Sequence, residues 1–319
     1  MLAVKNYLYA LAPLLLTSAL AFTTASAHAQ QIKVSRTDLS QNERAFQYEW
    51  QDQKGTTHSL SFVVPKTLFS HSEKPVRTLT GARLNRELVR PLQTFARTEL
   101  DANIEVRFNP QNHAIEFITN ANTDLALLRA QYQQLRADKI AEYYLRQLSI
   151  PPNHQGLAPD HARIAQASLA LGSIVAEAFA EQHPQTSVRD FIERVGGFVQ
   201  TIPYQELNDR MSSDGSGFAW PHEVIQFNQG DCDSKSTLMI AILKALLPNL
   251  QVALIYIEQH ALLGFVLPPR ESDFTLPYSG TELVVFEPTG PALLPVGVPA
   301  QSSRMYLENR AVTIIPVQF

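Results

Sequence analysis

The sequence predicts an α+β fold, with helices grouped ahead of an antiparallel sheet and a smaller α+β unit preceding both. Three observations lead there. From 45 to 64, "AFQYEWQDQKGTTHSLSFVV", Phe46, Tyr48 and Trp50 alternate with polar residues, and Leu60, Phe62 and Val64 resume the alternation after the turn "DQKG". From 123 to about 204 the apolar spacing is that of helices. After 250 it returns to that of strands in "QVALIYI", "HALLGFVL", "TELVVFE" and "AVTIIPVQF".

The chain opens with the pattern of an export signal. Lys5 gives a positive start, Leu8 to Phe22 form an apolar stretch broken by Pro13, and Ala27-His28-Ala29 supplies small residues for cleavage before Gln30. The stretch is short for a membrane span. The expectation is therefore a cleaved signal over 1–29 and a periplasmic or secreted mature protein without a membrane span. Roughly 290 mature residues suggest two domains. Cleavage removes one lysine and no acid, moving the formal charge from −4 to −5. That mild acidity argues against nucleic acid as a partner. No phosphate-loop or dinucleotide glycine pattern occurs, since the glycines of "SLALGS" and "VGGF" lie within helical patterns, and no cofactor is expected.

Taken in order, residues 30–122 form the first unit. After the aromatic hairpin, "LNRELVRPLQTFARTEL" is helical and "NIEVRFNPQNHAIEFIT" is a second hairpin turning at "NPQN". Phe46, Tyr48 and Trp50 are core aromatics. Leu128, Tyr132 and Leu135 share a stripe on a long linking helix assigned to 123–159 and stopped by Pro151-Pro152. Asp160 caps a helix through "HARIAQASLALGSIVAEAFAEQ", and Ser187 with Asp190 caps "VRDFIERVGGFVQT". The second domain, 160–319, carries these helices and the sheet.

Cys232 is the only cysteine, in "NQGDCDSKSTLMIAILKALL". In an exported chain it has no internal disulfide partner, so it is either a small buried hydrophobe or a reactive thiol. The following segment is apolar nearly all round, which predicts a buried helix with Cys232 at its head. Free N–H groups there favour thiolate and can hold an oxyanion, while the flanking Asp231 and Asp233 raise the thiol pKa. The two acids suit a helix start and lack further ligands for a metal. Gly230 allows close approach of the chain to a substrate. A thiol nucleophile needs an imidazole, and the imidazole an orienting acceptor. His260 opens one strand and Glu287 closes the next. His222 in "WPHE" is the competing base.

The run "GDCDSKSTLMIAILKAL … HALLGFVLP … FEPTGP", with "TIPYQ" and "WPHEVIQFNQG" upstream, resembles the transglutaminase-like superfamily over about 160–319. The resemblance implies a papain-like core, with Cys232 as nucleophile, His260 as base and Glu287 as third member of the triad, where aspartate is usual. It also implies a peptide or protein substrate, with cell-wall peptide among the options. Oxyanion-side or neighbouring roles would fall to Gln226, Gln229, Tyr204, Trp220 or Asp231. The alternative is a module that keeps the fold for binding or assembly without turnover.

Overall fold

A computed structural model describes residues 30–52, 54–70, 74–75, 79–100, 103–119, 125–150, 154–207 and 217–319. The export signal over 1–29 and the Pro151-Pro152 stop lie outside these. The molecule is α+β with antiparallel sheets.

Strands β1 (Gln30–Asp38), β2 (Glu43–Gln51) and β3 (Thr57–Pro65) form an antiparallel sheet in sequence order. The alternation of β2 and β3 puts Phe46, Tyr48, Trp50, Leu60, Phe62 and Val64 on one buried face. A short α1 (Thr67–Ser70) follows, then α2 (Gly81–Phe95), capped by the Thr80 hydroxyl and running into a π-helical turn, Ala96–Leu100. The predicted second hairpin is β4 (Glu105–Phe108) and β5 (Ile115–Ile118).

The linking helix is half the predicted length. It is α3 (Ala126–Glu142), and Tyr144 then turns left-handed at φ 54°. The next residues pair as β6 (Leu145–Ile150) and β7 (His154–Pro159). Leu145 and Leu157, paired from opposite strands with the residues around them, both lie against the small core that α2 and α3 enclose. That local burial outweighs continuation of the helix.

Beyond β7 come α4 (His161–Ala167), α5 (Leu169–Gln182), α6 (Val188–Thr201), α7 (Pro221–Phe227) and α8 (Cys232–Leu246). Asp160 and Ser187 cap α4 and α6 as expected. The helix expected to run through "HARIAQASLALGSIVAEAFAEQ" bends by 71° between α4 and α5. Among the described residues no single helix is long and apolar enough to cross a membrane. The closing sheet has the order β10-β11-β9-β8-β12, with β8 (Val252–Ile257), β9 (His260–Phe265), β10 (Thr275–Tyr278), β11 (Thr281–Phe286) and β12 (Thr313–Val317). α9 (Gln301–Glu308), which the sequence reading did not contain, packs Leu307 against one face of this sheet. α8 covers the other.

The cores divide differently from the sequence layout. The aromatics of β2 and β3 belong to the large core of α5, α6, α8 and the closing sheet, and Trp50 meets Phe179 and Phe198 at 6.4 and 5.5 Å. The segment from α2 to β7 has a separate small core around Leu84, Leu88, Leu92 and Leu128. A three-stranded sheet has one apolar face to cover. The amphipathic α2 covers β4 and β5 instead, so α5 and α6 take that face.

Candidate active site

The head of α8 is fixed before any chemistry is considered. Asp231 caps the helix, its carboxylate accepting from Ser234 N at 3.2 Å. Ser234 Oγ accepts from Ala219 N at 2.7 Å, tying the segment before α7 to the same turn. Gly230 N donates to Pro203 O and Gly230 O accepts from Gln205 N, both at 3.2 Å, which lays Tyr204 alongside. A Cβ on Gly230 would stand 3.2 Å from Lys235 Cγ and 3.4 Å from Val224, so packing inside the fold favours glycine here.

Lys235 was not singled out by the sequence. It is wholly buried, and its Nζ donates to Ile202 O at 2.7 Å and Gln200 O at 3.4 Å, at the C-terminal end of α6. A cation there complements the helix dipole. Burial nonetheless pushes its pKa down to about 7, against the pull of Cys232 and Asp231.

Cys232 is half-buried at the first position of α8. The backbone N–H groups of Ala261 and Asp233 face its sulfur and favour thiolate. Burial and the two aspartates outweigh them and push the thiol up to about 12. The lowered thiol pKa expected of a cysteine at a helix start is thus reversed, by burial first and by the acids second. Asp231 and Asp233 are hydrogen-bonded to each other, and burial raises both carboxyls, Asp233 the more. Two carboxyls in contact share a proton more readily than they both ionise.

His260 and Glu287 do come together, Nε2 to Oε2 at 3.5 Å. Glu287 is buried and also accepts from Ala300 N at 2.9 Å and from Ser303, at the start of α9. Burial alone would raise its carboxyl, but the bonds from His260, Ser303 and Ala300 hold it below the ordinary range. Its backbone carbonyl accepts from Gln200 Nε2 at 2.7 Å. The pair lines a cavity of about 350 Å³ together with Thr289, Ser302, Ser303 and Tyr306.

The thiol stands on the other side of the strand. Ala261, Leu263 and Phe265 of β9 join the core shared with α8, whereas Leu262 joins the core on the α9 face. His260 has the parity of Leu262 and turns to Glu287 on the α9 face. The thiol meets the backbone one residue along, at Ala261. Among the described residues no hydrogen bond joins the Cys232 sulfur to the His260 ring.

The remaining candidates separate clearly. Tyr204 is half exposed, not a core aromatic, and the negative potentials of Cys232 and Asp231 add to burial in raising its phenol, which puts it in the thiol's neighbourhood. Trp220 is buried at the head of α7, edge-on to Tyr144 at 4.9 Å. His222 is buried beside Trp220, its pKa lowered by burial. Gln226 lies on α7 and Gln229 between α7 and α8, both half-buried.

The sequence missed a second imidazole close to the head of α8. His161 is buried at the start of α4, with Nδ1 2.7 Å from Thr237 Oγ1, Nε2 2.5 Å from Tyr256 OH, and Asp233 Oδ2 at 3.8 Å. Thr237 donates its own hydrogen to Asp233 O, so His161 Nδ1–H donates to Thr237 and bare Nε2 accepts from the tyrosine. Burial lowers its pKa to about 3, keeping it neutral. Only the "PDH" start of a helical run could have hinted at it.

Compared with known proteins, the chain matches no family model, no curated protein and no solved structure.

Proposed function

We propose that this is an exported transglutaminase-like cysteine enzyme with a papain-like core, cleaving or transferring an amide or peptide acyl group. One observation carries the reading. Glu287, buried and hydrogen-bonded, holds His260 at the start of the strand whose next N–H faces the only thiol. The motif resemblance around Cys232, His260 and Glu-Pro-Thr supports the same assignment.

In this reading the resting sulfur is a thiol, because its pKa is pushed up to about 12. As the sulfur attacks the substrate carbonyl, its proton passes to His260, whose ring turns from the cavity toward Ala261. The S–C bond forms, the C–N bond breaks, and His260 returns the proton to the leaving amine. Water or a second amine then attacks the thioester with His260 as base, restoring the thiol. Glu287 fixes the resting orientation and tautomer of the ring. The backbone N–H of Cys232 and the Tyr204 hydroxyl serve the oxyanion. Hydrolysis is the first choice because water is the abundant acceptor, and exported or cell-wall peptides are the substrate class.

The second reading is a binding or assembly module that retains the fold without turnover. The raised thiol pKa and the missing Cys232–His260 hydrogen bond favour it. Incubating the exported protein with peptide and amine libraries separates the two. Release or transfer by wild type, abolished in both Cys232→Ala and His260→Ala and only weakened in Glu287→Gln, supports the enzyme. Turnover that survives His260→Ala but is lost in His222→Ala assigns the base to the other imidazole, and no turnover in wild type leaves the module.

A further inference from the structure

Glu287 lies one residue past the end of β11, whose last ladder partner on β9 is Leu263. The sheet therefore does not fix its backbone. Gln200, buried on the last turn of α6, does. The hydrogens of its side-chain amide go to Glu287 O at 2.7 Å and to Leu294 O at 2.9 Å. One buried amide thus fastens both ends of the segment 287–294.

The same segment rests on the end of the helix. A Cβ on Gly290, at φ +48°, would stand 2.1 Å from Gln200 O, an approach and a conformation that suit glycine. Gln200 O and Ile202 O in turn accept from Lys235 Nζ of α8. A line of contacts therefore runs from the helix headed by Cys232, through the end of α6, to the residue that faces His260. Glu287 is gripped at two points: its carboxylate by Ala300 N and Ser303, its carbonyl by Gln200. Thr289, Gly290, Pro291, Ala292 and Leu294 of the fastened segment form one wall of the cavity at His260, which Gln200 itself does not line.

We propose that Gln200 is a positioning residue for the His260–Glu287 pair, acting on the imidazole through the backbone of Glu287. This deepens the enzyme reading and rests on it for any effect on turnover. A side chain without the amide leaves two buried carbonyls short of a donor, and the segment must shift to satisfy them. The contact from Glu287 to His260 Nε2 is already 3.5 Å long, so a small backbone shift is enough to break it and free the ring.

The ring N–H of His260 tests this without any substrate. In the full chain labelled with heavy nitrogen at histidine, its NMR signal is assigned by its absence in His260→Ala. Gln200→Met, close in size but without donors, should speed exchange of that proton with water about tenfold, as expected for loss of one hydrogen bond. Gln200→Asn, whose amide is one methylene too short, should act in the same direction and decides the matter if the Met variant does not fold. Added to Glu287→Gln, either substitution should have little further effect, because the action passes through Glu287. If the protein turns over substrate, kcat should fall about ten- to hundredfold with KM unchanged. A wild type without turnover removes the enzyme reading, and the ring signal still decides this one. Unchanged exchange at His260 in a folded Gln200 variant overturns the proposal. So does an equal acceleration at the buried rings of His161 and His222, which would show general loosening, or a full effect in the Glu287→Gln background.

Discussion

Around Cys232 the decisive facts are single side chains and their protons. With the thiol pushed up to about 12, alkylation by iodoacetamide should be slow at neutral pH and still be accelerating above pH 9, where a free cysteine has levelled off. Replacing both Asp231 and Asp233 by Asn, which removes the shared negative charge beside the sulfur, should speed the reaction at pH 8; a rate equal to wild type would remove the carboxylates as a cause. Lys235 makes a pH prediction of its own. Its pKa falls to about 7 on folding, so between pH 7 and the unfolded value near 10.4 the unfolded chain holds a proton that the folded chain lacks. Stability therefore rises with pH in that window. The thiol acts oppositely, since the unfolded cysteine loses its proton near 8.5 while the folded one keeps it, so stability falls above that pH. Between 7 and 8.5 the lysine contributes a rise of order 1–2 kcal/mol, read in chemical denaturation as the difference between wild type and a Lys235 variant. Lys235→Met should flatten this rise, and Cys232→Ala should let it continue above 8.5.

At the scale of elements, helix contacts decide substitutions that propensity alone would misjudge. Glycine in a helix interior is about 0.5–1 kcal/mol worse than alanine. Gly172 of α5 nevertheless lies so close to α8 that a Cβ would stand 2.3 Å from Ala241 O. Overpacking of that kind costs about 1–3 kcal/mol, more than the propensity gain. Gly172→Ala should therefore destabilise, whereas Gly197→Ala on α6, whose Cβ would meet only Trp50 Nε1 at 4.0 Å, should stabilise slightly. Thermal unfolding of the pair gives opposite signs if the α5–α8 contact is as drawn. Another element-scale contact closes the loop before β10. Arg189 of α6 donates to Asp273 at 2.6 and 3.2 Å and to Pro268 O at 2.9 Å. Asp273→Asn leaves a buried guanidinium half-paired, and a loss of about 3–5 kcal/mol is expected in urea titration.

Across the whole molecule, the N-terminal sheet is part of the body that carries the candidate site. Trp50 is buried against Phe179 and Phe198, and Tyr48 OH donates to Ile225 O of α7 at 3.2 Å. Trp50→Ala should cost about 3–5 kcal/mol and lower the unfolding midpoint followed by the remaining Trp220, which packs in a separate small cluster with Ile164 and Phe218. An unchanged Trp220 transition would show that the sheet folds separately. The body should also weaken in acid. His161 is neutral in the fold with a pKa near 3, while the unfolded imidazole takes a proton near 6.5, so stability is lost as pH falls below that value.

The sequence by itself determined what depends on neighbours in the chain: the alternation of β2 and β3, the caps at Asp160 and Ser187, the buried helix headed by Cys232, and the strands opened by His260 and closed before Glu287. Period and capping are local physics. The pairing of His260 with Glu287 was legible because antiparallel β9 and β11 are adjacent and both residues have the same parity. Tertiary structure alone decided the rest. It ended α3 at Glu142 because Leu145 and Leu157 find a core as strands. It gave the aromatic sheet to α5 and α6, and brought His161, Tyr256 and the buried Lys235 to the head of α8 from distant segments. It also set the thiol against Ala261 and the imidazole on the opposite face, because burial and parity at a strand depend on which layers cover the two sides of a sheet, and no local pattern encodes those layers.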